Sequence, residues 1–79
     1  MDYILYGTSA CHLCELADAI IQSALNTHPF NLLKVDITED ESLVSKYGTK
    51  IPLIYCVRTQ KSLEWPFDKR QLIHYLNTQ

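Results

Sequence analysis

The stretch Gly7-Thr8-Ser9-Ala10-Cys11-His12-Leu13-Cys14-Glu15 decides the fold, because it joins a predicted strand to a predicted helix. The run before it, residues 3–6, is short and almost wholly apolar, which predicts a strand buried on both faces. The residues after it predict a helix over residues 12–27, ended by Pro29. The apolar positions of that helix recur at helical spacing: they are Leu13, Leu16, Ala17, Ile20 and Ala24.

The middle of the chain predicts a second strand and a second helix. Residues 31–37 alternate between apolar and polar side chains, which indicates a half-exposed strand. Thr38 and Glu41 have the spacing of a capping box for a short helix. Gly48 fits the residue just past the end of that helix.

The C-terminal third predicts a hairpin and a last helix. Residues 51–57 form the second strongly apolar strand, and residues 62–65 form the returning strand of the hairpin. Asp68 opens the last helix with Gln71 at its third position, and the pair predicts a capping box. A hydrophobic staple joins Phe67 to Leu72. The predicted buried stripe of this helix is Leu72, Tyr75 and Leu76.

The order of elements is therefore β-α-β-α-β-β-α. The first crossover requires two parallel strands, and the hairpin adds antiparallel ones. The sequence predicts an α/β (α+β) sandwich built on a four-stranded mixed sheet. At 79 residues, the chain 1–79 is expected to form a single domain.

Composition narrows the class of protein. Apolar residues make up 47% and charged residues 20%, the balance of a globular protein. The net charge is −2 with seven scattered basic residues, so we expect no nucleic-acid binding. The longest apolar run, 51–57, is too short to cross a bilayer, and no secretory signal is evident after Met1-Asp2. Three cysteines do not make a disulfide framework, so we expect a cytoplasmic protein. We also expect a monomer that is not bound to membranes.

The chemistry points to Cys11 and Cys14. A cysteine at the N-cap of a helix faces free backbone N–H groups and the positive end of the helix dipole, which stabilise a thiolate. The pKa of Cys11 is therefore expected to lie below the ~8.5 of a free cysteine. Cys14 lies within disulfide reach, so Cys11 is predicted to attack and Cys14 to resolve the mixed disulfide.

Two neighbours of the pair act in opposite directions, and other uses of the pair stay open. Protonated His12 favours the thiolate, whereas Glu15 disfavours it on charge but can accept a proton from Cys14. The alternatives to redox chemistry are half of a zinc site and a chance pair. Cys56 is interpreted as a buried small hydrophobe, with a regulatory thiol as the alternative. Trp65 is interpreted as a packing residue, with a place in the lining of the site as the alternative.

The chain resembles the glutaredoxin-like family of the thioredoxin-fold superfamily. The resemblance covers nearly the whole chain and rests on the sequences Cys11-His12-Leu13-Cys14-Glu15, Tyr47-Gly48-Thr49-Lys50-Ile51-Pro52 and Trp65-Pro66-Phe67-Asp68. It implies a sheet of order 2-1-3-4 and a cis peptide at Ile51-Pro52. An incoming extended peptide or glutathione would then pair with the Ile51 backbone as an added strand.

The chain also departs from typical glutaredoxins at positions that contact glutathione. His12 and Leu13 stand where those proteins have proline and tyrosine, and Thr8 where they often carry a basic residue. Lys50 is the candidate for the missing positive charge, and Asp68 for receiving an ammonium group.

The expected function is that of an enzyme, a thiol–disulfide oxidoreductase that reduces protein disulfides or glutathione mixed disulfides. The expected substrate-binding residues are His12, Lys50, Ile51, Pro52 and Asp68. No tightly bound cofactor or metal is expected, and glutathione is a possible co-substrate. Two alternatives are a metal or iron–sulfur module held through Cys11, and a thioredoxin-fold adaptor without redox turnover.

Overall fold

The computed structural model describes residues 2–79, which form one mixed sheet flanked by helices. The sheet order is β2-β1-β3-β4, with β1 parallel to β2 and antiparallel to β3, and β3 antiparallel to β4. This confirms the predicted four-stranded mixed sheet of order 2-1-3-4. The elements are β1 (Asp2–Gly7), α1 (His12–Leu25), β2 (Asn31–Asp36), α2 (Glu41–Tyr47), β3 (Leu53–Cys56), β4 (Ser62–Glu64) and α3 (Lys69–Asn77), with one 3-10 turn (Ile37–Glu39) between β2 and α2.

The two faces of the sheet bury different side chains. Because side chains alternate along a strand, Tyr3 and Leu5 of β1 face one cluster and Tyr6 faces the other. The smaller cluster lies under α2, where the ring of Tyr6 stacks on that of Tyr47 with centroids 4.4 Å apart. The larger cluster lies under α1 and α3: Tyr3, Leu5, Ala17, Ile21, Ala24, Ile54, Cys56, Phe67, Leu72 and Tyr75.

The buried face of α1 differs from the predicted one. Of the predicted positions, Ala17 and Ala24 are fully buried, whereas Leu13 and Leu16 are 45% and 42% exposed. Cys14 and Ile21 are buried in their place. Burying Cys14 and two alanines brings the helix close to the sheet and turns both leucines outward. The helix also ends at Leu25, before Pro29, because the Ala24 carbonyl accepts hydrogen bonds from the backbone N–H groups of Thr27 and His28.

The predicted capping box of Thr38 and Glu41 is wrong. Asp36 accepts hydrogen bonds from the backbone N–H and hydroxyl of Thr38, at 2.9 and 2.7 Å, and so caps the 3-10 turn. Asp40 caps α2 in the same way through Ser42. The bonds from these hydroxyl and backbone groups lower the pKa of both carboxyls. Aspartate is a better N-cap than threonine, which explains the outcome.

The ends of three further elements also differ from prediction. Ile37 lies in the 3-10 turn and is buried, so β2 ends at Asp36. Gly48 is the C-cap itself and keeps a helical φ of −54°. Strand β3 begins at Leu53, because Pro52 has no N–H with which to join the ladder.

The predicted start of α3 is confirmed. The Asp68 carboxylate accepts from the backbone N–H of Gln71 at 2.8 Å, and the Gln71 side chain accepts from the backbone N–H of Asp68 at 2.9 Å. Phe67 and Leu72 are both buried in the larger cluster, as the staple requires. The capping box and the buried staple together therefore fix the N-terminus of α3 and the end of the loop before it.

We expect Gln60→Gly to stabilise the protein by about 0.5 kcal/mol. Gln60 lies in the β3–β4 turn with a φ of +62°, a conformation that glycine adopts without steric cost. Thermal or urea unfolding measures the change. Lys61→Gly, one residue on, is the control and should be neutral or destabilising; equal effects of the two variants would contradict the prediction.

Candidate functional site

Cys11 occupies the N-cap of α1. Its backbone is extended (φ −105°, ψ 109°), and its sulfur accepts a hydrogen bond from the Cys14 backbone N–H at 3.0 Å. The two cysteines are joined by a disulfide, with Cα atoms 5.1 Å apart. The sulfur of Cys11 therefore lies where the helix presents its free N–H groups and positive dipole end.

The two cysteines differ in exposure, and Gly7 explains how Cys14 fits. Cys11 is half-buried, whereas Cys14 is only 9% exposed and packs against the end of β1. A Cβ on Gly7 would lie 2.9 Å from the Cys14 sulfur and 3.3 Å from its Cβ. Only glycine leaves room for the buried cysteine at this point.

Gly7→Ala is expected to destabilise the oxidised protein by about 1–3 kcal/mol through overpacking. The reduced protein should lose less, because a free Cys14 thiol can rotate away from the added methyl group, whereas a disulfide-bonded sulfur cannot. The dithiol–disulfide equilibrium in glutathione buffers should therefore shift toward the dithiol.

Gly48→Ala is the control for this redox shift. Its added Cβ would meet the backbone oxygen of Val44 at 2.5 Å, a contact independent of the cysteines. It should lower stability equally in both redox states. A redox equilibrium that moves equally in the two variants would contradict the assigned role of Gly7.

A cleft of about 410 Å³ opens beside the cysteines, between α1 and β2. Both cysteines line it together with Gly7, Thr8 and Ser9 of the β1–α1 loop. Its charged residues are Glu15 and Asp18 from α1, Lys34 and Asp36 from β2, and Glu39 from the 3-10 turn.

Among these charged residues, the sequence pointed only to Glu15 as a neighbour of the cysteines. It did not predict a place at the site for the other four, which are Asp18, Lys34, Asp36 and Glu39. A signal existed for Asp36, which ends the strand parallel to β1 and so lies at the same end of the sheet as the cysteine loop. Asp18 and Lys34 form an ion pair at 3.0 Å, a contact between distant parts of the chain that carries no local pattern.

The predicted Ile51 and Pro52 lie at the same end of the sheet as the cysteines. Tyr6 pairs with Leu53, so Pro52 comes level with Gly7. Pro52 is buried, Ile51 is half-buried, and the peptide bond between them is cis. The Pro52 carbonyl accepts from the Trp65 backbone at 3.0 Å, which places the loop before α3 beside it.

The polar residues predicted for the site are spread around it. His12 is exposed, with its ring Nδ1 3.7 Å from a Glu15 carboxylate oxygen. Lys50 is exposed next to Ile51, and Asp68 is exposed with one carboxylate oxygen engaged in the α3 cap. None of these three lines the 410 Å³ cleft, so the structure separates a cleft side from an Ile51–Pro52 side.

Cys56 is fully buried in the larger core cluster, as its interpretation as a small hydrophobe predicts. Burial raises the pKa of its thiol, but hydrogen bonds with Thr59, Arg58 and Tyr3 outweigh burial and lower it overall. Trp65 is half-buried and its ring packs edge-on against Phe67 with centroids 5.2 Å apart, which confirms its packing role.

Residues 2–79 contain neither a cluster of metal-ligating side chains nor a helix that could span a membrane. No group of three or more His, Cys, Asp or Glu side chains comes together to hold a metal ion. No helix in the same range has the length and apolar character needed to span a membrane.

The sheet order, the helix that follows β1 and the cysteine pair at its start together define a thioredoxin-like fold. Within that class, the chain belongs to the glutaredoxin-like domain family (DUF836), whose model matches residues 2–77. The resemblance seen in the sequence is thereby confirmed.

Solved structures agree with this assignment. Structural genomics target protein XcR50 from X. campestris is 30% identical, with a TM-score of 0.86 over 98% of this chain and 97% of its own. Protein Ne2328 from Nitrosomonas europaea is 27% identical, with a TM-score of 0.79 over 94% of this chain and 88% of its own. Thioredoxin 1 from Thermosipho africanus is 16% identical at a TM-score of 0.74, over 99% of this chain and 92% of its own, and shares the fold. No curated protein matches the sequence.

Proposed function

We propose that this protein is a thiol–disulfide oxidoreductase that reduces protein disulfides or glutathione mixed disulfides in the cytoplasm. One observation carries the proposal: the half-buried Cys11 sulfur accepts the Cys14 N–H at the start of α1. A thiolate at that position gains a hydrogen bond and a favourable dipole. The family and the fold support a redox role for the pair.

The proposed reaction has two exchange steps. The Cys11 thiolate attacks one sulfur of a substrate disulfide; an S–S bond forms to Cys11, the substrate S–S bond breaks, and one substrate thiolate leaves. The Cys14 thiolate then attacks the Cys11 sulfur and releases the second substrate thiolate. The substrate gains two electrons and the protein is left with its Cys11–Cys14 disulfide. Glutathione or a protein dithiol then returns the electrons.

The surroundings of the pair suggest further roles. Ile51 and Pro52 would frame the groove for an extended substrate backbone, since they lie level with Gly7. His12, when protonated, would favour the Cys11 thiolate, and Glu15 would accept the proton of Cys14. Lys50 and Asp68 would contact charged groups of the substrate from the Ile51–Pro52 side. The protein would work as a monomer with no tightly bound cofactor.

The test is intact mass after equilibration in graded glutathione redox buffers, on the protein and on Cys14→Ser. A reversible Cys11–Cys14 disulfide, with glutathione trapped on Cys11 in the variant, would establish redox chemistry and a glutathione link. A disulfide without trapped glutathione would point to a protein dithiol as the electron donor. Thiols that stay reduced in every buffer would refute the proposal.

A further inference from the structure

The cleft beside the cysteines is strongly anionic. Four carboxylates line it against one ammonium group, that of Lys34. Lys34 is engaged with Asp18 at 3.0 Å, so this pair is close to neutral. The uncompensated charge therefore comes from the other three carboxylates, on Glu15, Asp36 and Glu39.

None of these three carboxylates is paired with a lysine or arginine among residues 2–79. Hydrogen bonds from Thr38 lower the pKa of Asp36, which keeps its carboxyl ionised. Neither Asp36 nor Glu39 takes part in an ion pair among residues 2–79, and the partner of Glu15 is His12, which is charged only when protonated. Both cysteines line the same cleft as these charges, so at low salt the field of the carboxylates acts on the pair with little screening.

We infer that this cleft selects disulfide substrates on charge, favouring a polypeptide with lysine or arginine next to the reacting cysteine. The inference rests on the proposed function and names its substrate class. The cysteine pair is the reacting site, and Glu15, Asp36 and Glu39 act on it as specificity-determining groups. A basic segment would approach the pair through an attractive field, which speeds encounter. Glutathione carries two carboxylates and one ammonium at neutral pH, so the same field would repel it.

The experiment uses the pre-reduced full chain and two fluorogenic peptide disulfides in single-turnover reduction. The peptides are identical except for Lys or Glu on both sides of the cysteine. Each second-order rate constant is divided by that of dithiothreitol, a neutral dithiol, with the same peptide, which removes the peptide's intrinsic reactivity. We expect the normalised rate to favour the Lys peptide by about tenfold or more at low salt. The preference should collapse toward unity at about 1 M salt, where the screening length is ~3 Å.

A charge-reversal pair locates the effect. Glu39→Lys changes the cleft, whereas Asp2→Lys reverses the same charge at the far end of β1 from Gly7 and the cysteines. The preference should fall several-fold in Glu39→Lys and stay within about twofold of the parent in Asp2→Lys. Both side chains are exposed, and thermal unfolding checks that both variants remain folded.

The outcomes are distinct. A salt-sensitive Lys preference lost only in Glu39→Lys supports the inference. Equal normalised rates for the two peptides at low salt overturn it, while leaving the oxidoreductase proposal intact. A preference that both charge reversals change equally, or that neither changes, also overturns it, because the selecting charges then lie outside the cleft. Failure to reduce either peptide overturns the proposed function and this inference with it.

Discussion

Replacing Cys11 by serine is expected to abolish disulfide reduction. Cys11 is the half-buried member of the pair, and its sulfur lies at the N-cap, where a hydrogen bond and the helix dipole favour a thiolate. A serine hydroxyl at the same place is far too weak an acid to ionise near pH 7 and is no leaving group in thiol exchange. The buried Cys14 is not expected to take over, because only 9% of its surface is accessible. Turnover of a peptide disulfide, with circular dichroism to confirm folding, measures the loss.

Two matched variants make this expectation specific. Cys56→Ala removes a thiol that is fully buried away from the pair, so it should keep its turnover. Cys14→Ser should form the mixed disulfide on Cys11 and stop there. Full turnover by Cys11→Ser would remove Cys11 from the mechanism, and loss of turnover in Cys56→Ala without loss of folding would show that the site includes more than the pair.

Leu72→Ala is expected to cost about 2–5 kcal/mol of unfolding free energy. Leu72 is completely buried in the larger cluster, where α3 packs with α1 on the sheet. Its removal loses apolar burial and leaves a cavity among rigid neighbours. Because small domains have total stabilities of only about 5–15 kcal/mol, the variant should be partly or largely unfolded near 40 °C. Urea unfolding of the two proteins measures the difference.

Leu16→Ala is the matched comparison, since it makes the same exchange in another helix. Leu16 is 42% exposed on α1, so little burial is lost and alanine is the better helix former. Its effect should stay within about 1 kcal/mol. If both variants lost equal stability, the assignment of the buried face of α1 would be wrong.

The parts of the fold with strong local signals could be predicted from the sequence. The apolar run before Gly7, the hairpin around residues 57–61 and the capping box of Asp68 and Gln71 each require only neighbouring residues. The cysteine pair could be placed at a helix N-cap for the same reason. Its chemistry follows from that position rather than from the motif alone.

Other features depend on contacts that no local pattern encodes. The rotation of α1 about its axis is decided by how closely Ala17 and Cys14 approach the sheet. The helical spacing of Leu13 and Leu16 wrongly predicted that these two side chains are buried. Asp40 caps α2 in place of Thr38, because Thr38 lies inside a 3-10 turn that Asp36 caps. The acidic cleft requires α1 and β2 to lie side by side, which only the tertiary structure shows.

The burial of Cys56 has a consequence for the covalent fidelity of the molecule. Cys56 pairs with Tyr3 at the start of β1, whereas the reacting cysteines follow the end of that strand at Gly7. The strand separates them by about 13 Å, at ~3.3 Å per residue, and no disulfide can cross that gap. In the folded chain, Cys56 therefore cannot form a disulfide with Cys11 or Cys14. Scrambled isomers can arise only while the chain is unfolded, and refolding before oxidation should yield a single covalent species.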